Sequence, residues 1–292
     1  MDTNATSLTQ EPNLQQPPET EYVLHRRFDR MGRLVGDPAM KKLMSTHVMV
    51  IGLGGVGSWA AEALARSGVG QITVIDFDEI CITNANRQIH ALQGLVGKKK
   101  AEVMGERLRK INPQAVVKVI PEFYNAENSE MMLANKPDYI VDAIDNMTAK
   151  AHLLATCVAK GIEVVTSAGS AAKMDPLRIQ KVDLADTHTC PMAQQLRKIL
   201  RQKYDFPEKK FGIQCVFSDE LVMQPEELFY DKGMGFKCVC PQKNDQHGCD
   251  NRNMIYGSAS FVTGAFGLAM ASHIVNDIYK TIKAANSVEV QS

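Results

Sequence analysis

The chain has 292 residues, 45% of them hydrophobic, which allows one large domain or two small ones with an ordinary soluble core. Its 33 basic side chains balance 33 acidic ones, so no global field draws in nucleic acid or a membrane, and a polyanionic partner has to be met by a local basic patch. Residues 1–20, rich in Gln, Pro, Thr and Asn, lack the basic and apolar regions of a secretory signal and are expected to form a disordered tail, with 21–292 a single domain. Seven scattered cysteines are an odd number and suit reduced thiols in a cytoplasmic protein better than a disulfide framework.

In chain order, the apolar run His47–Ile51 reads as a buried strand. It enters Gly52-Leu53-Gly54-Gly55-Val56-Gly57, a G-x-G-x-x-G turn. A helix follows, with Ala60, Ala61, Ala63, Leu64 and Ala65 on its apolar side and Gly68 as its stop. A second strand, 72–75, ends at Asp76, 19 residues after Gly57. Strand, glycine turn, helix and acid together point to a nucleotide. The glycines let the backbone approach a phosphate, the helix N-terminus attracts the anion, and the acid bonds a ribose hydroxyl.

After a loop at 77–96, a helix is expected over 98–111, ended by Asn112-Pro113, then a strand at 116–120 and a short helix at 127–134. A strand over 139–144 ends in Asp145-Asn146. A helix over 148–160 closes at Gly161, and a strand over 162–166 runs into a small-residue stretch. A strand at 178–184, a basic helix at 192–203 and a strand at 212–217 complete the regular part, while 218–253 has no clear period and reads as a functional or mobile loop. This alternation predicts an α/β fold: a Rossmann-like, doubly wound, mostly parallel sheet with a C-terminal extension. Between Arg252 and Asp277 no charged residue occurs, a length that could span a bilayer, but Gly257, Ser258, Ser260, Thr263, Gly264 and Gly267 make it too polar and too small. A helix buried against the sheet or in a subunit interface is expected, with no membrane partner.

Ligands of open α/β sheets sit at the carboxyl ends of the strands. There the sequence places Asp76 and Asp78, then Asn84-Ala85-Asn86-Arg87-Gln88, Lys98-Lys99-Lys100, and Asp145-Asn146. A dinucleotide dehydrogenase has no need for Arg, Lys and a second Asp converging on the phosphates. Phosphoryl or nucleotidyl chemistry does, since cations neutralise a polyphosphate and a carboxylate can hold Mg2+.

These residues resemble those of the ThiF/MoeB/HesA superfamily of carboxylate-adenylating enzymes, over about 30–170. The resemblance implies ATP and Mg2+ as cofactors. It implies that Gly52, Gly54, Gly55 and Gly57 form the phosphate turn and that Asp76, with Asp78 beside it, holds the ribose. Asn84, Arg87 and Lys100 would hold the triphosphate, and Asp145, followed by Asn146, would sit by Mg2+ and the α-phosphate. It also implies a homodimer in which an N-terminal arginine reaches the partner's site. Arg30 of Arg27-Phe28-Asp29-Arg30 fits that spacing best, with Arg27 and Arg33 as alternatives.

Within the superfamily, Gly55 to Arg66, the run Thr83 to Ala91, Cys215-Val216-Phe217-Ser218 and the small-residue C-terminal helix are similar to the tRNA threonylcarbamoyladenosine dehydratases. That branch implies ATP-dependent cyclisation of a modified adenosine beside the tRNA anticodon through a carboxyl-adenylate. It leaves open a monovalent cation and a cysteine desulfurase or sulfur-acceptor partner. Arg197, Lys198, Arg201, Lys203, Lys209 and Lys210 form the local basic cluster such a substrate needs. The alternative is an adenylyltransferase activating the C-terminus of a small sulfur-carrier protein. Members of that branch carry two C-x-x-C pairs for zinc, and this chain has none. Cys238, Cys240, His247 and Cys249 are metal ligands by type, but their spacing departs from zinc patterns, and they are read as reduced loop thiols.

Overall fold

The computed structural model describes residues 22–228 and 255–289. The N-terminal tail and the group Cys238, Cys240, His247 and Cys249 lie outside these residues. Two short helices that the sequence reading did not assign come first, α1 (Asp29–Val35) and α2 (Asp37–Ser45). The second opens on Asp37-Pro38, an acid and a proline in the first turn, and buries Ala39, Met40 and Leu43. The nucleotide-binding half follows as β1 (His47–Ile51), α3 (Gly57–Arg66), β2 (Gln71–Ile75), α4 (Lys100–Ile111) and β3 (Val116–Ile120). Then come α5 (Ser129–Leu133), β4 (Tyr139–Asp142), α6 (Met147–Lys160), β5 (Glu163–Ser167), β6 (Ile179–Asp183), α7 (Pro191–Tyr204), β7 (Gln214–Ser218) and α8 (Ser260–Glu289).

The strands form one sheet in the order β3-β2-β1-β4-β5-β7-β6. All neighbours are parallel except the edge strand β6, which runs antiparallel to β7. Strand β1 shows why its sequence is apolar throughout: Val48 and Val50 face one buried cluster, with α3, α4 and α8, while Met49 and Ile51 face the other, with α5, α6 and α7. Each such side chain contributes about 1.5–3 kcal/mol on burial. The sheet centre also buries thiols. The Cys215 thiol is 0% exposed, and burial pushes its pKa up to about 12.

Two boundaries differ from the sequence reading for local reasons. Helix α4 begins at Lys100 and not at 98, because Lys99 bridges in extended form to Glu79 and the Lys98 carbonyl accepts from the Ile80 amide at 2.9 Å. Strand β4 stops at Asp142, whose carboxylate accepts the Ile144 amide at 3.1 Å and turns the chain out of the sheet.

Helix α8 holds most of the uncharged segment of the sequence in its first half, up to Asp277. Its length and composition would suffice to cross a membrane, but half of its most apolar stretch is buried inside the protein, against α3, α2 and the sheet. Small residues allow the close approach. A Cβ at Gly264 would sit 3.3 Å from the Trp59 ring, and one at Gly267 would run into the backbone carbonyl of Val56. Overpacking of this kind costs about 1–3 kcal/mol. Gly267→Val is therefore expected to lower the thermal midpoint by about 3–10 °C in a calorimetric scan, whereas a midpoint equal to wild type would show that α8 is free to move off α3.

Candidate functional site

A cavity of about 600 Å3 opens at the carboxyl ends of β1, β2 and β4. The connection leaving β1 leads to β2 on one side and the connection leaving its neighbour β4 leads to β5 on the other, the place where open α/β sheets bind ligands. The glycines of the turn divide into two pairs. Gly52 has φ +89°, and a Cβ there would lie 2.6 Å from the Ala143 carbonyl oxygen; Gly57 packs its backbone on the Gly52 carbonyl. These two hold the turn against the sheet. Gly54 and Gly55 line the cavity, and nothing lies within 4 Å of where a Gly54 side chain would begin, so its backbone is bare to a ligand.

Asp76 ties the turn to the end of β2. One carboxylate oxygen accepts from the Leu53 amide at 2.6 Å and the other from the Asp78 amide at 2.9 Å. Burial raises its pKa, and the Lys100 ammonium works against that rise. Lys100, only 6% exposed at the start of α4, pairs with Asp78 at 2.6 Å. Burial alone would lower the Lys100 pKa, but Asp76 and Asp78 outweigh it, so the pKa is raised and the side chain is a fixed cation.

The 81–91 loop forms the opposite wall. The Asn84 side-chain oxygen accepts from the Cys81 amide at 2.9 Å, and the Trp59 indole N–H donates to the Arg87 carbonyl at 3.0 Å. The Arg87 guanidinium donates to the Thr83 carbonyl and to the Asn86 side-chain oxygen, at 3.0 and 2.8 Å. Asp145 closes the far side, beyond β4.

Of the residues singled out in the sequence, Gly52, Gly54, Gly55, Asp76, Asp78, Asn84, Arg87, Lys100 and Asp145 line one cavity. Gly57 lies behind the turn. Asn146 is outside the lining, its side-chain oxygen capping α6 through the amides of Thr148 and Ala149. Arg27, Arg30 and Arg33 are exposed near the N-terminus and do not line this cavity, and Arg33 pairs with Asp29 at 2.9 Å. In the basic cluster, Lys198, Lys203, Lys209 and Lys210 are exposed. Arg197 and Arg201 are half-committed, Arg197 to the Thr187 hydroxyl and Arg201 to the Glu208 carbonyl and the Phe211 ring. Among the described residues, no cluster of His, Cys, Asp or Glu is arranged for a metal ion.

Sequence reasoning missed the support beneath the Asp145 turn. Asp142 and Lys150 form an ion pair at 2.8 Å, both fully buried. Lys150 also donates to the carbonyls of Ile144 and Asp142, at 3.2 and 3.4 Å, and the Thr166 hydroxyl donates to Asp142 at 2.7 Å. The signal was a lysine in the otherwise apolar α6 stripe of Ala149, Ala151, Leu153, Leu154 and Cys157. His90 was also missed. It is buried behind Lys100, and burial, with Lys100 and Arg107, pushes its pKa down to about 3, so the ring is neutral.

The ThiF family model matches residues 28–290. The chain belongs to the ThiF family. Within the family it is 40% identical over 258 residues to the tRNA threonylcarbamoyladenosine dehydratase of Haemophilus influenzae, covering 87% of this chain and 94% of that protein. The Escherichia coli tRNA N6-threonylcarbamoyladenosine dehydratase, crystallised in complex with ATP, superposes with a TM-score of 0.76 at 39% identity, over 89% of this chain and 96% of that one; its AMP complex gives 0.77. The sulfur carrier protein ThiS adenylyltransferase of Escherichia coli is more distant, 32% identical over 147 residues and 49% of this chain.

For this ThiF-family chain, removing one partner of the buried pair leaves a charge with no counterpart, at about 3–5 kcal/mol. Lys150→Met is expected to lose that much in urea unfolding monitored by circular dichroism. A loss under about 1 kcal/mol would mean that Asp142 finds other partners or takes up a proton at no cost.

Proposed function

We propose that this chain is an ATP-dependent tRNA threonylcarbamoyladenosine dehydratase acting in the cytoplasm. The observation that carries the reading is the convergence of Arg87, Lys100, Asn84 and Asp145 around the bare backbone of Gly54, beside Gly55, in a chain alike over nearly its whole length to enzymes of that name.

ATP is a substrate in this scheme. Asp76 and Asp78 receive the ribose, and the Phe77–Phe123 pair, edge to face at 5.1 Å, walls the adenine end. The side-chain carboxylate of the modified adenosine attacks the α-phosphorus, a new P–O bond forms, and the bond to pyrophosphate breaks. Lys100 and Arg87 neutralise the charge that gathers on the leaving pyrophosphate, and the Asn84 amide offers it a hydrogen bond. A nitrogen or oxygen nucleophile already in the substrate then attacks the activated carbonyl, loses its proton and expels AMP. The oxygen lost from the substrate leaves in AMP, so ring closure is a net dehydration. The nucleophile is intramolecular, worth an effective concentration on the order of 10⁵–10⁸ M, and no enzyme thiol is required. Asp145 is a hard oxygen donor of the kind that holds Mg2+ beside substrate phosphates, where the ion would screen their charge. The α7 basic face, with Lys198 and Lys203 exposed, supplies phosphate contacts for the tRNA. A monovalent cation and a sulfur-transfer partner do not enter the scheme.

Two measurements test this. Mass spectrometry of tRNA nucleosides after incubation with protein and Mg-ATP is expected to show loss of one water from threonylcarbamoyladenosine, with AMP and pyrophosphate formed. Arg87→Ala and Asp145→Ala are each expected to slow this by about 10²–10³; near-normal rates in both, or calorimetric binding of NAD in place of ATP, would refute the reading.

The site is also proposed to be completed by a second copy. Arg30 is exposed away from its own cavity, and Phe261 and Leu268 leave apolar surface on α8. Sedimentation is expected to show a dimer at assay concentration, and an active monomer would remove the role given to Arg30.

A further inference from the structure

The cavity has two ends, and the ATP scheme occupies one. The far end is made by a short strap, 255–258, facing Ser170 and Ala171 beyond β5. The strap is fixed at two points. The Gly257 carbonyl accepts from the Ala172 amide at 2.8 Å, and the Ser258 carbonyl accepts from the Asn86 side-chain amide at 2.8 Å. Tyr256 lines the cavity from this strap and is still 44% exposed. An aromatic ring held open at the mouth of a cleft of mixed apolar and polar lining, on backbone anchored from both sides, is the arrangement that stacks an unpaired nucleobase. Asn86 adds a link. Its amide N–H holds the strap while its oxygen accepts from Arg87 at 2.8 Å, so the wall of the far end and the phosphate arginine share one side chain.

We infer that the strap with Ser170 and Ala171 is the subsite for the purine of the tRNA nucleoside whose carboxylate is adenylated, with Tyr256 as its stacking platform. This rests on the function proposed above. The base enters from the open side, its substituent points inward past Gly257 and Thr263, and the carboxylate reaches the α-phosphate position between Arg87 and Asp145. Small residues at Ser170, Ala171 and Gly257 leave the width that a purine with a bulky substituent needs. The aromatic pair at the other end, Phe77 and Phe123, is left to ATP, so the two nucleosides are told apart by which end they occupy.

The experiment is steady-state kinetics of wild type, Tyr256→Ala and Tyr256→Phe with Mg-ATP and tRNA bearing threonylcarbamoyladenosine, read by nucleoside mass spectrometry, alongside calorimetric ATP binding. Loss of one base–aromatic stack corresponds to about 10-fold or more in affinity. Tyr256→Ala is expected to raise KM for tRNA by about that factor while the Kd for ATP stays within about twofold, and Tyr256→Phe is expected to restore the wild-type KM. A Tyr256→Ala enzyme with unchanged KM for tRNA overturns the subsite, as does one whose ATP affinity falls in parallel. A Tyr256→Phe variant as impaired as the alanine one overturns the stacking role. Wild type that leaves the tRNA nucleoside unchanged overturns the functional reading itself, a result separable from the others because it appears before any variant is made.

Discussion

The carboxylate of Asp76 is the contact on which the site depends. It takes two backbone amides, one from the glycine turn at Leu53 and one from its own strand end at Asp78, and so fixes the turn relative to β2. Its burial would be costly without compensation, and the compensation comes from those amides and from Lys100 at the start of α4. The arrangement places a lysine, held by Asp78, in the wall of the cavity. Glycine turn, strand end and helix start thus form one charged unit held by its own hydrogen bonds.

A second unit lies under β4. The buried pair Asp142–Lys150, with Thr166, fixes the chain between Asp142 and Ile144 and thereby the position of Asp145 beyond it. Both units use a lysine whose charge is held by a carboxylate of the neighbouring strand end. In the first the pair faces the cavity; in the second it faces the core. The difference follows from depth, since Lys100 lines the cavity and Lys150 is fully buried.

Most of the sheet was legible because parallel strands covered on both faces leave unbroken apolar runs, as His47–Ile51 does. The cleft was legible because its acids and bases fall at strand ends, where apolar periodicity stops. The Asp142–Lys150 pair was not, since a lysine in an apolar helix stripe marks a buried charge without naming the carboxylate that will meet it. Helices α1 and α2 were missed because each is short and its apolar stripe is only a few residues wide. Asn146 was grouped with the ligand residues from its place beside Asp145. Its side chain instead follows the general preference of asparagine for the first position before a helix.

Helix α8 joins surfaces that lie on opposite sides of the glycine turn. Thr263, in its first turns, is 3.1 Å from where a Gly55 side chain would begin, and Gly267, one helical turn on, rests on the Val56 carbonyl, while Leu268 next to it faces outward. A displacement imposed on the outer face of this helix would be passed to the turn that lines the cavity. By reciprocity of linkage, a ligand bound against that turn would restrain the helix by the same free energy with which the helix holds the turn.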